Sequence, residues 1–244
     1  GTILDDDARP RLWIRDTSIQ RPTTGASTMK FVVRLYDSAT GKIATPSGLP
    51  TVFAWSTIPG SALPDTDFVA ASGSDTIPAG ATSDTVRVQV RGDARYHPPL
   101  TFSVSLVPSN AVAISVSRLS AIGTIRSAVG RPVLSVVAAS VSEGDAGRKA
   151  FPFVAALLDS ASGLPVVSRV ALPFVWTSSD GSAGSGVDYI PRDGGSSVPA
   201  GSTSIGFVPD SVVGNPIHQS DRTISVTVSP AGTDLRPGAT SVLG

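Results

Sequence analysis

Carboxylates are the reactive side chains that this chain has in quantity. It has 18 Asp and one Glu, but only two His and no Cys. Without Cys, thiol catalysis, cysteine-ligated metals and disulfides are excluded. A nucleophilic serine would need a sharp exposed turn, and the sequence has no Gly-x-Ser-x-Gly segment. Carboxylate oxygens suit a hard cation such as Ca²⁺, but acidic residues in loops also cap turns. We therefore expect no catalytic site.

The segments between these acids have the pattern of β-strands. Every second residue is apolar over residues 30–36, 85–91 and 223–228. A period of two with one apolar face is typical of half-buried strands. Gly- and Pro-containing turns such as 78–80 and 199–201 separate these runs. We therefore predict an all-β chain built from immunoglobulin-like sandwiches.

The sequence contains the same unit twice. Trp55-Ser-Thr returns as Trp176-Thr-Ser, and Ile77-Pro-Ala-Gly as Val198-Pro-Ala-Gly, both 121 residues later. Ordered matches at one offset indicate tandem domains. We place the first sandwich at residues 8–127 and the second at 128–244, whose last strand would be completed beyond the chain. Residues 1–7 match the end of the first sandwich, so we expect them to be the tail strand of a preceding repeat.

Charge and hydropathy exclude further classes of function. Nineteen basic residues balance nineteen acidic ones, and only 16% of residues are charged, against about 25% in ordinary soluble domains. A neutral chain lacks the basic field that non-specific nucleic-acid binding needs. No apolar run reaches the ~18 residues of a membrane-spanning helix. We therefore expect no nucleic-acid partner and no membrane span in this segment.

Three short motifs resemble one known family. They are Ser-Glu-Gly-Asp at 142–145, Gly-Val-Asp-Tyr at 186–189 and the acidic triplet Asp5, Asp6 and Asp7. Their succession resembles the Calx-beta domain, a sandwich module of sodium–calcium exchangers and of many bacterial surface proteins. The resemblance covers nearly all of the chain, and it implies two tandem Calx-beta-type sandwiches.

The resemblance also implies a calcium site at one end of the second sandwich. The positions that match the family's ligands there are Glu143, Asp188 and Asp210. The terminal triplet would come from Asp5, Asp6 and Asp7 of a following copy, if the array repeats. The first copy has Ile19-Gln20-Arg21-Pro22 where the Glu should stand, and we expect it to bind no calcium. Ca²⁺ is therefore the one cofactor that we consider for this chain.

These observations favour a structural role over a catalytic one. We expect a spacer repeat of a large extracellular or cell-surface bacterial protein of the fibre or adhesin type. We expect its partners to be neighbouring repeats of the same protein and other copies in a filament. Two alternatives remain open, a ligand-binding adhesin module and an accessory domain of a secreted enzyme. An exposed aromatic patch would favour the adhesin. We expect Trp13, Trp55 and Trp176 to pack in the cores instead.

Overall fold

A computed structural model of the chain describes residues 1, 2, 4, 10–37, 40, 46–109, 115–238 and 241–243. The described residues form β-strands joined by turns and loops, without a helix, which confirms the predicted all-β class. In this part of the chain, no helix of sufficient length and hydrophobicity to cross a membrane is present. Asp5, Asp6 and Asp7, and with them most of the predicted tail strand, lie outside the described residues.

The chain divides into two compact units of similar size. Unit 1 comprises Gly1–Ala94 and Pro98–Ala128, and unit 2 comprises Val129–Gly244 together with Arg95–His97. Each unit is a sandwich of two sheets with its own core. The fold class of two tandem sandwiches is therefore confirmed.

Unit 1 pairs a four-stranded sheet, in the order β6-β3-β1-β8, with a five-stranded sheet, in the order β2-β9-β7-β4-β5. Neighbouring strands are antiparallel except for the pairs β1–β8 and β2–β9, which are parallel. The strands are β1 (Arg11–Ile14), β2 (Thr17–Gln20), β3 (Ala26–Tyr36), β4 (Thr51–Pro59), β5 (Ser72–Ile77), β6 (Ser83–Arg91), β7 (Leu100–Pro108), β8 (Ser115–Arg118) and β9 (Ser120–Arg126).

Unit 2 repeats this plan with sheets β13-β15-β11-β10-β17 and β14-β12-β16-β18. Its parallel pair is β10–β17. The strands are β10 (Val133–Val137), β11 (Arg148–Leu158), β12 (Leu172–Asp180), β13 (Tyr189–Ile190), β14 (Gly194–Val198), β15 (Ser204–Val213), β16 (Ile224–Pro230), β17 (Arg236–Pro237) and β18 (Ser241–Leu243).

Alternating apolar residues from both sheets fill each core. In unit 1 the buried Phe31 meets Phe102 across the sandwich, with ring centroids 5.7 Å apart. In unit 2 the buried Phe174 meets Phe207 of the opposite sheet edge-to-face at 5.5 Å. Edge-to-face aromatic pairs add about 0.5–1.5 kcal/mol beyond their buried area. The residues between these buried ones point to solvent, because side chains alternate between the two faces of a strand.

The three tryptophans have different positions. Trp55 and Trp176 pack against the cores of their units, as predicted. The prediction for Trp13 is wrong: its neighbours Leu12 and Ile14 are fully buried, whereas Trp13 is half-buried. Because side chains alternate along a strand, Trp13 lies on the outer face of the sheet.

Gly194 leaves space for the Trp176 indole. A Cβ atom at Gly194 would lie 2.5 Å from Cζ2 of Trp176, and one at Gly195 would lie no closer than 3.4 Å to any neighbour. We expect Gly194→Ala to lower the free energy of unfolding of unit 2 by about 1–3 kcal/mol through overpacking. Urea unfolding measures this, and Gly195→Ala is the matched control. Equal stabilities of the two variants would contradict the packing argument.

Candidate functional site

A polar cavity opens between the loops at one end of unit 2. Its volume is about 860 Å³. Two of the predicted calcium ligands, Glu143 and Asp188, line it together with Asp145 and Asp221. The structure therefore brings together residues that are far apart in the sequence, on the loop after β10, the loop before β13 and the loop before β16.

Two side-chain amides hold Glu143. Nδ2 of Asn215 donates to its Oε2 at 3.1 Å, and Nε2 of Gln219 lies 3.2 Å from both carboxylate oxygens. Both amides belong to the segment that leads from β15 to β16. Glu143 thereby links the loop after β10 to this segment across the cavity.

Asp188 is held by its own loop and by one guanidinium group. The backbone N–H of Gly184 donates to Oδ2 at 2.8 Å, and Nη1 of Arg222 donates to Oδ1. The hydrogen bond from Arg222 lowers the pKa of Asp188 below its usual value, and the Gly184 N–H adds to this. An ion pair formed by the chain itself therefore occupies the Asp188 carboxylate.

Asp210 lies apart from this cavity, fully buried in the sandwich. Its Oδ1 accepts hydrogen bonds from Oγ of Ser178 at 2.8 Å and from the backbone N–H of Arg192 at 3.1 Å. Its Oδ2 is buried and has no hydrogen-bond partner among the described residues. Burial raises the pKa of Asp210, since the charged form is costly away from water.

The donor chemistry of the cavity suits a hard cation, because carboxylate and amide oxygens are the ligands that Ca²⁺ takes. The described carboxylates do not converge, however. Among the described residues, no three Asp, Glu, His or Cys side chains come close enough together to hold a metal ion. The arrangement supplies part of a ligand set, and the triplet predicted to complete it lies outside the described residues.

Unit 1 has an arginine where unit 2 has Glu143. Arg21 and Asp67 are both fully buried, with Nη1 of Arg21 3.0 Å from Oδ1 of Asp67. Nε and Nη2 of Arg21 also donate to the backbone carbonyl of Arg91, at 2.9 and 2.7 Å. A buried charge is tolerated where it is paired and hydrogen-bonded. The guanidinium group therefore supplies the positive charge at this end of unit 1.

The two units hold their equivalent aspartates in the same way. The Leu63 N–H donates to Oδ2 of Asp67 at 2.9 Å, as Gly184 N–H does to Asp188. In both units a guanidinium group pairs with Oδ1, but Arg21 is buried and the Arg222 side chain is 38% exposed. The motif-based prediction missed Arg21 and Arg222 because it considered acids alone. The repeat offset that aligns Arg21 with Glu143 was the available signal for the first.

Comparisons with known proteins identify structural neighbours only. No protein-family model and no curated protein matches the chain. Among solved structures, CBD12 from CALX1.2 aligns over 89% of this chain and 79% of its own, with 14% identity and a TM-score of 0.42. The calcium-binding domain CBD12 of CALX1.1 aligns over 90% and 79%, with 15% identity and a TM-score of 0.42.

A third solved structure is described as that of a candidate carbohydrate-binding protein from Bacteroides ovatus ATCC 8483. It aligns over 90% of this chain and 64% of its own, with 9% identity and a TM-score of 0.42. Calx domains, which the sequence motifs resemble, are thus among the solved structures to which this chain is similar. We base the functional proposals on the chain's own residues.

Loss of the buried guanidinium should destabilise unit 1. We expect Arg21→Ala to lower its free energy of unfolding by about 3–5 kcal/mol, because the buried Asp67 would lose the guanidinium group that pairs with its Oδ1. The matched control is Arg118→Ala, which breaks the half-exposed pair of Arg118 with Asp16 and should cost at most about 1 kcal/mol. Urea unfolding compares the variants, and equal losses would rule out a special role for the buried pair.

Asp210 should make unit 2 less stable as pH rises. Its folded pKa is raised, so the folded state holds a proton that the unfolded state releases above about pH 4. Stability contributed by this proton is complete below that pH and is lost as pH rises through the folded pKa. We expect Asp210→Asn, which keeps an oxygen acceptor without the charge, to be more stable than the wild type at pH 7.

The gain should shrink towards pH 4, as followed by thermal unfolding at several pH values. Asp159→Asn is a control of opposite sign, because hydrogen bonds from the backbone and side chain of Ser162 lower the pKa of the exposed Asp159. That carboxylate stabilises the fold above the unfolded pKa, and its contribution is lost as pH falls. An Asp210→Asn protein that is less stable than the wild type at pH 7 would contradict the first expectation.

Proposed function

We propose that this chain is a non-enzymatic structural unit, a spacer of two tandem sandwiches within a larger extracellular or cell-surface bacterial protein of the fibre or adhesin type. The observation that carries the proposal is the repetition of one sandwich, each copy closed around its own core. In a repeat array, stability is approximately a sum of terms from each unit and each interface. Such an array adds length without requiring a new fold for each segment.

The outer surface of unit 2 supports contact with neighbouring repeats or with other copies in a filament. Val137, Val154 and Val208 are 53%, 41% and 45% exposed, and all three lie on the outer face of the β15-β11-β10 part of one sheet. Clustered exposed apolar residues are typical of surfaces that become covered by another protein. Neighbouring repeats of the same protein are the partners that we propose for this face.

We further propose that Ca²⁺ stiffens one end of unit 2. Glu143 and Asp188 would hold the ion, with Asp145 and Asp221 beside them in the cavity, and Asp5, Asp6 and Asp7 of a following copy would complete the ligand set. Bound calcium would supply a positive charge that ties separate loops together. Unit 1 already has Arg21 in the corresponding place, so we expect only unit 2 to respond to calcium.

Both parts of the proposal can be tested by pulling single molecules from their two ends in optical tweezers. The sample is a head-to-tail fusion of two copies, with Gly244 of one joined to Gly1 of the next. Independent sandwiches of nearly 120 residues should unfold in steps of roughly 40 nm each, since an extended chain spans at most 3.3–3.6 Å per residue. In this fusion, unit 2 of the first copy is followed by Asp5, Asp6 and Asp7 of the second copy. Calcium at 2 mM should raise the unfolding force of that unit 2 above its value in EDTA.

Asp188→Ala should abolish the calcium response of that step, and Asp67→Asn, its equivalent in unit 1, should leave the response in place. Unfolding in one step over the whole chain would overturn the spacer of independent sandwiches. Separate steps whose force is the same in calcium and in EDTA would overturn only the calcium proposal. Magnesium at the same concentration controls for ionic strength.

A further inference from the structure

One outer sheet face of unit 1 combines positive charge with two aromatic rings. We call it the basic face, and its residues are Arg11, Trp13, Arg15, Lys30, Arg34 and Tyr36. Arg11 and Trp13 belong to β1, Arg15 directly follows it, and Lys30, Arg34 and Tyr36 belong to β3. Their side chains point outward because they alternate with the buried Leu12, Ile14, Phe31, Val33 and Leu35. Arg87 of β6 extends the charge beyond β3, since it pairs in register with Lys30.

Strand register interleaves the charges and the rings. Arg11 lies opposite Tyr36, and Trp13 lies opposite Arg34. The backbone N–H of Arg15 donates to the carbonyl of Val32 at 3.3 Å, which continues the pairing by one row. Neighbouring strands are about 4.8 Å apart, and outward residues on one strand about 6.8 Å. Three guanidinium groups thus alternate with two rings over three rows that span about 14 Å along the strands.

Three arginines of this face have no acidic partner within the part of the chain that the structure describes. Among the described residues, no carboxylate forms an ion pair with Arg11, Arg15 or Arg34, whereas Arg118 at the edge is paired with Asp16. A shallow groove of about 400 Å³ runs between the side chains of Trp13, Arg15, Val32, Arg34 and Tyr36. The rings of Trp13 and Tyr36 meet edge-to-face at 5.3 Å, so a fixed aromatic wall lies beside the guanidinium groups.

Unit 2 shows that the fold does not require this surface. At positions 122 residues later, Arg11, Trp13, Arg15, Arg34 and Tyr36 become Val133, Ser135, Val137, Ala156 and Leu158. These residues occupy the matching outward positions of β10 and β11, and Val137 is the last residue of β10. The same sandwich therefore forms with an apolar face, and the charges and rings of unit 1 are additional to folding.

We propose that the basic face binds an acidic polysaccharide, one whose sugar rings carry carboxylate or sulfate groups. Guanidinium groups bind such anions through paired charge-assisted hydrogen bonds. Sugar rings also present C–H faces that pack on indole and phenol rings. Charge complementarity selects an anionic ligand, and the interleaved rings distinguish a chain of sugars from a simple counter-ion.

A polysaccharide fits this face better than a single-stranded nucleic acid does. Nucleic-acid platforms stack successive bases on open aromatic faces within a basic groove. Here the rings of Trp13 and Tyr36 are inclined by 63° to each other, so they do not present the parallel faces on which successive bases stack. The neutral chain also lacks the extended field that draws nucleic acids in.

The test measures binding of the 244-residue protein by isothermal titration calorimetry at 50 mM and 300 mM NaCl. The probes are alginate for carboxylate, dextran sulfate for sulfate, neutral dextran, and oligothymidine at equal charge concentration. We expect saturable binding of alginate, dextran sulfate or both, weakened at the higher salt. The probe bound more tightly identifies the anionic group. Neutral dextran should not bind.

Variants that carry the residues of unit 2 at the same positions locate the site. Arg15→Val with Arg34→Ala should weaken binding roughly 10- to 100-fold, at about tenfold for each charge-assisted contact. Trp13→Ser should weaken it about tenfold and leave the salt dependence nearly unchanged. The matched control, Arg148→Ala with Arg236→Ala, removes two exposed guanidinium groups from unit 2 and should bind like the wild type.

Thermal unfolding checks each fold, and the Arg15/Arg34 variant should keep the wild-type melting temperature because both side chains lie outside the core. The proposal is overturned if neither anionic polysaccharide binds, or if this folded variant binds as tightly as the wild type. It is also overturned if oligothymidine binds more tightly than both polysaccharides, in which case the partner is a nucleic acid.

Discussion

Burial of every second residue between two sheets is the constraint on which this structure depends. The chain has no Cys, and its described part is built from strands alone, so each unit relies on the apolar contact between its sheets. The aromatic contacts Phe31–Phe102 and Phe174–Phe207 lie at the centre of those cores. Apolar burial at roughly 25 cal/mol per Å² is the main favourable contribution to folding, and it specifies the inward residues while leaving the outward ones free to differ.

That freedom explains how one sandwich can have two different outer faces. The outward positions of β1 and β3 hold arginines and aromatic rings, and the matching positions of β10 and β11 hold small or apolar residues. Neither set of outward residues disturbs the packing of the core, because side chains on opposite faces of a strand do not contact each other. These are the two faces for which we propose different partners, an anionic ligand for unit 1 and another apolar surface for unit 2. One fold can thus carry different outer surfaces without a change in its core.

A second constraint acts where the loops meet at one end of each sandwich. Both units place an aspartate there whose Oδ2 accepts a backbone N–H, and a carboxylate withdrawn from water requires a positive partner. In unit 1 the buried Arg21 is that partner. In unit 2 the partner is the more exposed Arg222, which lines a polar cavity together with Glu143. The first arrangement is closed and internal, whereas the second leaves room for a cation from solution.

The sequence predicted the all-β class, the repetition of one unit and the alternation of three strands, β3, β6 and β16, because period-two alternation and a constant offset can be read from the chain alone. The resemblance of its motifs also placed Glu143 and Asp188 at one end of the second sandwich, where both line the cavity. The position of Trp13 was mispredicted because an apolar residue between two others gives no sign of which face it takes. The folded structure was needed to show that Arg21 pairs with Asp67, that Asp210 lies outside the cavity, and that Arg15 and Arg34 share one surface. Those relations depend on the register between strands distant in sequence, which inter-sheet packing and the hydrogen-bond ladders fix together.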